Sequence, residues 1–252
     1  MDTEQTDTRE DLGRAVGDLA AGRTDGNTLA QVAKLARRSM KAAGARSLAT
    51  GRWLAEMVVE TVPHIPVREA ATLSAHHGGL TGDRLAEEVI RSASRTTAGL
   101  GAVAGALAGT QALVPPTWVA IPAELLVETL AVVAVELKLV AELQEVYGMP
   151  VTGTPTERSV AIIRAWAESR GVRARDLLRP GGLGHVFGRG SRQELVRMLQ
   201  RRLLLRAMRN MSALAPLMAG AVAGAELNRR ATRSLGEKVT RDLSSRPGEV
   251  RR

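Results

Sequence analysis

The sequence predicts an all-α protein, a single helical domain of about seven to nine helices around two glycine-lined apolar segments, behind a disordered N-terminal arm. Three observations carry this. Aromatic residues make up 2% of the 252 residues, whereas sheets spend aromatic and β-branched side chains freely. Apolar residues recur at helical spacing in several stretches, and no stretch of useful length alternates apolar and polar residues as a half-buried strand does. The third observation is the run from Thr96 to Gly148, which reaches Ala123 without a charge and then continues as a long aliphatic helix. Gly101, Gly105 and Gly109 stand four residues apart in it and fall in one row on a helix. Such a row lets another helix approach backbone to backbone. Each glycine inside a helix costs about 1 kcal/mol relative to alanine, so the row needs a packing reason. Pro115-Pro116 divides the run, which predicts two helices folded back on each other as the core, with insertion of Thr96–Ala123 in a bilayer as the alternative.

Taken in order, residues 1–27 hold 3 basic and 7 acidic groups and read as a solvated arm with at most a short helix around Leu12–Ala21. A helix begins after Asn27-Thr28, with Leu29, Val32, Leu35 or Ala36, Met40 and Ala43 on one stripe. Lys34, Arg37, Arg38 and Lys41 lie largely off that stripe, which makes the helix basic and amphipathic. A second helix runs from Gly51 to Val62 and breaks at Pro63-His64-Ile65-Pro66. Ala75 to Gly82 reads as a loop, and Asp83 opens a helix that runs into the glycine row. Gly148 marks the end of the aliphatic helix. Thr154-Pro155-Thr156-Glu157 is a capping box with proline at the first helical position, launching a helix to about Arg170.

A glycine-rich loop follows from Arg179 to Gly190, and Ser191 with Glu194 forms another capping box. The helix after it carries Arg197, Arg201, Arg202, Arg206 and Arg209 on one side and Val196, Leu199 and Leu203 on the other. A second uncharged stretch, Asn210 to Ala225, is interrupted or kinked at Pro216 and carries Gly220 and Gly224 four apart. It ends in Glu226 to Arg230 and a basic tail. The resulting division is an arm at 1–27, a helical domain at 28–243 and a tail at 244–252.

Chemistry is sparse. The chain has no cysteine, which removes disulfides, thiolate nucleophiles and sulfur ligands. His76-His77 stands out, yet adjacent residues rarely ligate one ion, and no histidine or carboxylate stands at a spacing such as H-E-x-x-H. Neither glycine-rich stretch has the dinucleotide spacing, and there is no P-loop pattern. No catalytic residue, metal site or cofactor is therefore predicted. Two candidate sites remain. The Arg179–Ser191 loop, with Arg179, Arg189 and Arg192, is a candidate for holding a phosphate or lipid head group. Glu124, Glu128 and Glu136 lie on an otherwise aliphatic helix and read as a polar edge that needs cations nearby, with the arginines of the last helices as candidates and a polar-ligand or proton-relay role as the alternative.

The formal net charge is +9, and residues 191–252, with 14 basic and 5 acidic groups, carry an excess equal to all of it. A basic segment of that kind suits anionic lipid, an acidic protein or nucleic acid. The scarcity of aromatics removes the stacking platforms of single-strand binders. The acidic, polar first residues are unlike a signal peptide, so the expected location is the cytoplasm.

The order of features resembles the EcsC-like family, named for a component of a bacterial ABC-transporter operon. The residues that carry the likeness are Ala86 to Ser94, the glycine-rich run, Ile121-Pro122-Ala123-Glu124 and the helix closing on Tyr147-Gly148. Leu214-Ala215-Pro216 through Gly220, Gly224 and Asn228-Arg229-Arg230 is similar to that family's second glycine-rich block. The resemblance covers roughly residues 84–240. It implies a helical bacterial protein, cytoplasmic or membrane-associated and linked to transport or secretion. The family has no agreed catalytic residues, so it implies no site.

The expected function is non-enzymatic: a peripheral membrane-associated or ABC-transporter-accessory protein whose arginine-rich helices face anionic lipid or an acidic partner at the inner face of the cell membrane. The alternatives are a lipid-modifying or hydrolytic enzyme using Glu124 or Glu128 and a histidine, and non-specific duplex DNA binding through the arginines. An anionic membrane surface or a transporter subunit is the expected partner, nucleic acid is disfavoured, and oligomeric state is left open.

Overall fold

A computed structural model describes residues 2–111, 123–170, 196–197, 199–200, 203 and 219–245. Among the described residues there are eight α-helices, one 3-10 turn and no strand. The all-α prediction holds. None of these helices is long and apolar enough to cross a membrane.

The centre is α6, Ala123–Val146. From Leu125 to Leu143 nearly every side chain is buried, whichever way it points. A helix apolar on all sides has to be surrounded, and α6 touches helices on every flank. Its end was legible in advance. Gly148 takes the left-handed conformation at φ 68°, Met149 N–H donates to Gln144 O at 2.8 Å, and Gly148 N–H donates to Glu145 O at 3.0 Å. These two bonds make a Schellman motif, which satisfies carbonyls that the helix end would leave open.

The N-terminal arm requires correction. Residues Asp2–Ala20 form the helix α1, and Leu12, Ala15, Val16, Leu19 and Ala20 are buried in the common core. The charges that made the segment read as solvated lie on its outer side, with Glu4, Asp7, Asp11 and Arg14 exposed. The short helix allowed around Leu12–Ala21 is present but extends back to Asp2, and its stripe at Leu12, Val16 and Leu19 docks it into the core. Gly13 and Gly17 complete the seat. A Cβ on Gly17 would lie 2.5 Å from His64 O, and one on Gly13 would lie 3.1 Å from Glu60 O. The helix therefore presses its backbone onto the chain around 60–64.

The next helix, α2, spans Gly26–Ala49 with a kink at Gly44. Asp25 caps it, accepting from Asn27 N–H at 3.1 Å and Thr28 N–H at 3.0 Å. These bonds, the one to Thr28 foremost, hold the Asp25 carboxyl below its usual range. Val32, Ala36 and Met40 are buried while Lys34, Arg37, Arg38 and Lys41 are exposed, as the stripe predicts. Helix α3, Arg52–Thr61, passes into a 3-10 turn at Val62–His64 where Pro63 was expected to break it. Trp53, fully buried on α3, donates from Nε1 to Ser39 Oγ of α2 at 2.9 Å. Helix α4, Ala70–His76, takes in His76, which the sequence placed in a loop.

Helix α5 runs unbroken from Gly82 to Gln111, as predicted. The capping box at Thr154 and Glu157 is formed and launches α7, Pro155–Ser169. The last described helix, α8, spans Ala219–Ser244. It does not stop near Arg230, because Leu235, Val239 and Leu243 continue its buried stripe. The most extensive pairing among the described helices is that of α5 with α8.

Candidate functional site

Three polar clusters converge on α6, each reaching a different neighbour. The first sits where the glycine rows cross. Helices α5 and α8 run antiparallel, with Ile90 against Gly236, Thr97 against Asn228 and Gly101 against Gly224. A Cβ on Gly101 would lie 2.7 Å from Gly224 O and 2.6 Å from Asn228 Nδ2. Asn228, buried, passes this gap and donates from Nδ2 to Glu128 Oε1 of α6 at 2.7 Å. The glycine rows thus do face each other, at Gly101 and Gly224. Gly105, Gly109 and Gly220 lie further along the same helices, and their surroundings fall outside the described residues.

The second cluster surrounds Glu136, which is 0% exposed. Its carboxylate accepts from Trp166 Nε1 at 2.9 Å, from Arg170 Nε at 3.2 Å and from Thr232 Oγ1 at 3.3 Å. Arg170 Nη2 makes a further bond to its other oxygen. A buried carboxylate is tolerated only when its lone pairs are filled and its charge is matched. Here both conditions are met, and α6, α7 and α8 are joined in the process. A group so saturated is held as a structural anion. The sequence singled out Glu136 and looked for its cation among the last helices; Arg170, which ends the α7 segment, supplies it.

The third cluster was missed. Glu142, buried on α6, accepts from Arg68 Nε at 2.7 Å and Arg68 Nη2 at 3.1 Å, and pairs with Lys138 one turn earlier. Lys138 Nζ also donates to Pro66 O at 2.7 Å. Burial pulls the Lys138 ammonium below the ordinary lysine value although Glu142 opposes it. The bond to Glu142 pushes the Arg68 guanidinium up. Lys138 and Glu142 are spaced as an ordinary surface pair. The signal available in advance was their position inside an aliphatic helix, where a solvated face was not to be expected.

Of the other candidates, Arg197 is exposed, while Val196, Leu199 and Leu203 beside it are buried. The surroundings of Glu124 lie outside the described residues, as do Arg179, Arg189, Arg192, Arg201, Arg202, Arg206 and Arg209. His64 stands in the 3-10 turn against α1, and His76 with His77 closes α4. Among the described residues no group of three or more histidines and carboxylates could hold a metal ion. Comparison of this chain with protein-family models, with curated proteins and with solved structures finds no match.

Proposed function

We propose that this is a non-enzymatic, peripheral membrane-associated or transporter-accessory protein of the EcsC-like kind, presenting basic helical faces to anionic lipid or an acidic partner. The observation that carries this reading is the placement of Val196, Arg197, Leu199 and Leu203. Val196, Leu199 and Leu203 are buried, which leaves Arg197 exposed at the start of a side that continues in sequence as Arg201, Arg202, Arg206 and Arg209. Helix α2 repeats the arrangement, with its apolar stripe in the core and Lys34, Arg37, Arg38 and Lys41 outside. Each such cation near an anionic surface contributes about 1 kcal/mol at short range.

Co-sedimentation with vesicles tests this. Binding to phosphatidylcholine vesicles should be weak and should rise when phosphatidylglycerol is added. It should then fall as salt rises, because the screening length is about 10 Å at 0.1 M. Equal binding to neutral and anionic vesicles would defeat the reading. Tight binding to duplex DNA at physiological salt, with none to vesicles, would replace it with duplex binding.

A further inference from the structure

A groove of about 1020 Å³ opens where α1, α2 and α3 meet Val196, Arg197 and Gln200. Its charged walls are Arg9 of α1, Arg46 of α2, Arg52 and Glu56 of α3, and Arg197, with Gln200 beside them. Glu56 takes up part of this charge: Arg9 Nη1 lies 3.1 Å from Glu56 Oε2, and Arg52 Nε lies 2.7 Å from Glu56 Oε1. Four guanidinium groups against one carboxylate leave an excess of three positive charges in one concavity. Arg46 and Arg197 have no carboxylate partner among the described residues, and the buried Nε–H of Arg9 has no acceptor. Like charges gathered without counter-charge repel one another, and a buried donor left open is rare in a native protein. An anion in the groove would relieve the repulsion among these guanidinium groups.

The contrast with the groove between α5 and α8 is instructive. That groove is also lined by arginines, but three of its five are paired, Arg91 with Glu87 and Glu88, Arg229 with Glu226 and Arg233 with Glu237, and only Arg95 and Arg241 have no carboxylate partner among the described residues. At the first groove the cancellation stops at Glu56.

We infer that the α1–α3 groove is a binding site for a multiply charged phosphate group, either a free polyanion such as a diphosphate or the phosphorylated head group of a lipid. Guanidinium forks match phosphate oxygens in pairs, which makes arginine the residue expected here over lysine. The site is a discrete pocket with its own stoichiometry. It shares Arg197 with the proposed basic side, but Arg9, Arg46 and Arg52 lie outside that side, so it does not need the membrane reading to be right.

The test is calorimetric titration of the full chain with inorganic pyrophosphate at fixed ionic strength, beside the double variant Arg46→Gln and Arg52→Gln. These two side chains are exposed, so the variant should keep its helical circular dichroism, and it leaves Arg197 and the side beyond it intact. The wild type should give one saturable site, and the variant should lose at least about tenfold in affinity, as expected for two charge-assisted contacts removed. A second arm uses phosphatidylcholine vesicles carrying phosphatidic acid. Retention that pyrophosphate competes away and the variant lacks assigns the site to a lipid head group. Pyrophosphate binding with no such vesicle effect assigns it to a free anion. A flat wild-type titration together with unchanged vesicle binding by the variant overturns the inference, as does equal pyrophosphate affinity in wild type and variant. Salt-sensitive binding to phosphatidylglycerol vesicles would survive that failure, which keeps the two proposals separable.

Discussion

At the scale of single residues, the chain's glycines divide by what a methyl group would meet. Gly99 and Gly101 are two positions apart on α5 and face opposite circumstances. A Cβ on Gly99 would meet nothing within 4 Å, whereas one on Gly101 would strike the Gly224 carbonyl and the Asn228 amide. Gly99→Ala should therefore stabilise by about 0.5–1 kcal/mol through backbone entropy and helix propensity. Gly101→Ala should destabilise by about 1–3 kcal/mol, since a backbone atom must move to admit the methyl. Urea unfolding of both variants checks this, and equal midpoints would mean that the α5–α8 crossing is looser than the backbone approach requires. Tyr147, the one tyrosine in the chain, donates its hydroxyl to Asp83 at 2.6 Å. Burial first, and the Asp83 carboxylate second, push its phenol up to about 12. A folded-state value above the unfolded one adds stability that is complete below about pH 10 and is lost as pH rises toward about 12. The near-ultraviolet phenolate absorbance should titrate in that window. Tyr147→Phe should flatten the alkaline loss of stability there, and a phenolate midpoint near 10 in the folded protein would refute the assignment.

At the scale of elements, α1 shows how composition misleads. Its acidic residues are real, but helical geometry sorts them to one side and leaves Leu12 fully buried. Leu12→Ala should cost about 2–5 kcal/mol in thermal or urea unfolding, the usual range for a large buried aliphatic residue cut to alanine. Asp7→Ala, on the exposed side, should change stability by no more than about 0.5 kcal/mol. A neutral Leu12→Ala would return the segment to the status of an arm. Elements with local punctuation were easier to read. The capping box of α7, the Schellman end of α6 and the proline break after α3 are each written within a few neighbouring residues. No such local mark separates a docked amphipathic helix from a free one. What distinguishes them is the presence of a facing surface.

At the scale of the whole molecule, one buried helix, α6, gathers the others, and three ionic or amide clusters fix their rotation around it. Removing one partner of a buried charge pair typically costs about 3–5 kcal/mol, so Glu136 with Arg170 and Glu142 with Arg68 and Lys138 act as keys for α7, α8 and the chain at 66–68. The same economy explains why the surface, not the interior, is where a partner is to be sought. Among the described residues, the interior carboxylates are matched by interior donors, while Lys34, Arg37, Arg38, Lys41, Arg46 and Arg197 face outward.

The sequence by itself determined the helical class, the starts of α2, α3, α5, α6 and α7, the ends of α3, α6 and α7, the buried aliphatic centre and the glycine rows, because each follows from spacing and neighbouring residues. It also marked Glu136 as needing a cation. The tertiary structure decided which cation that is, that Asn228 reaches Glu128 through the space a glycine leaves, and that α1 belongs to the core. It alone brought Arg9, Arg46, Arg52 and Arg197 around one groove. The physical reason is distance along the chain. Helical periodicity and capping act over a turn or two, whereas Asn228 is 100 residues from Glu128 and Arg170 is 34 from Glu136, separations that only packing brings together.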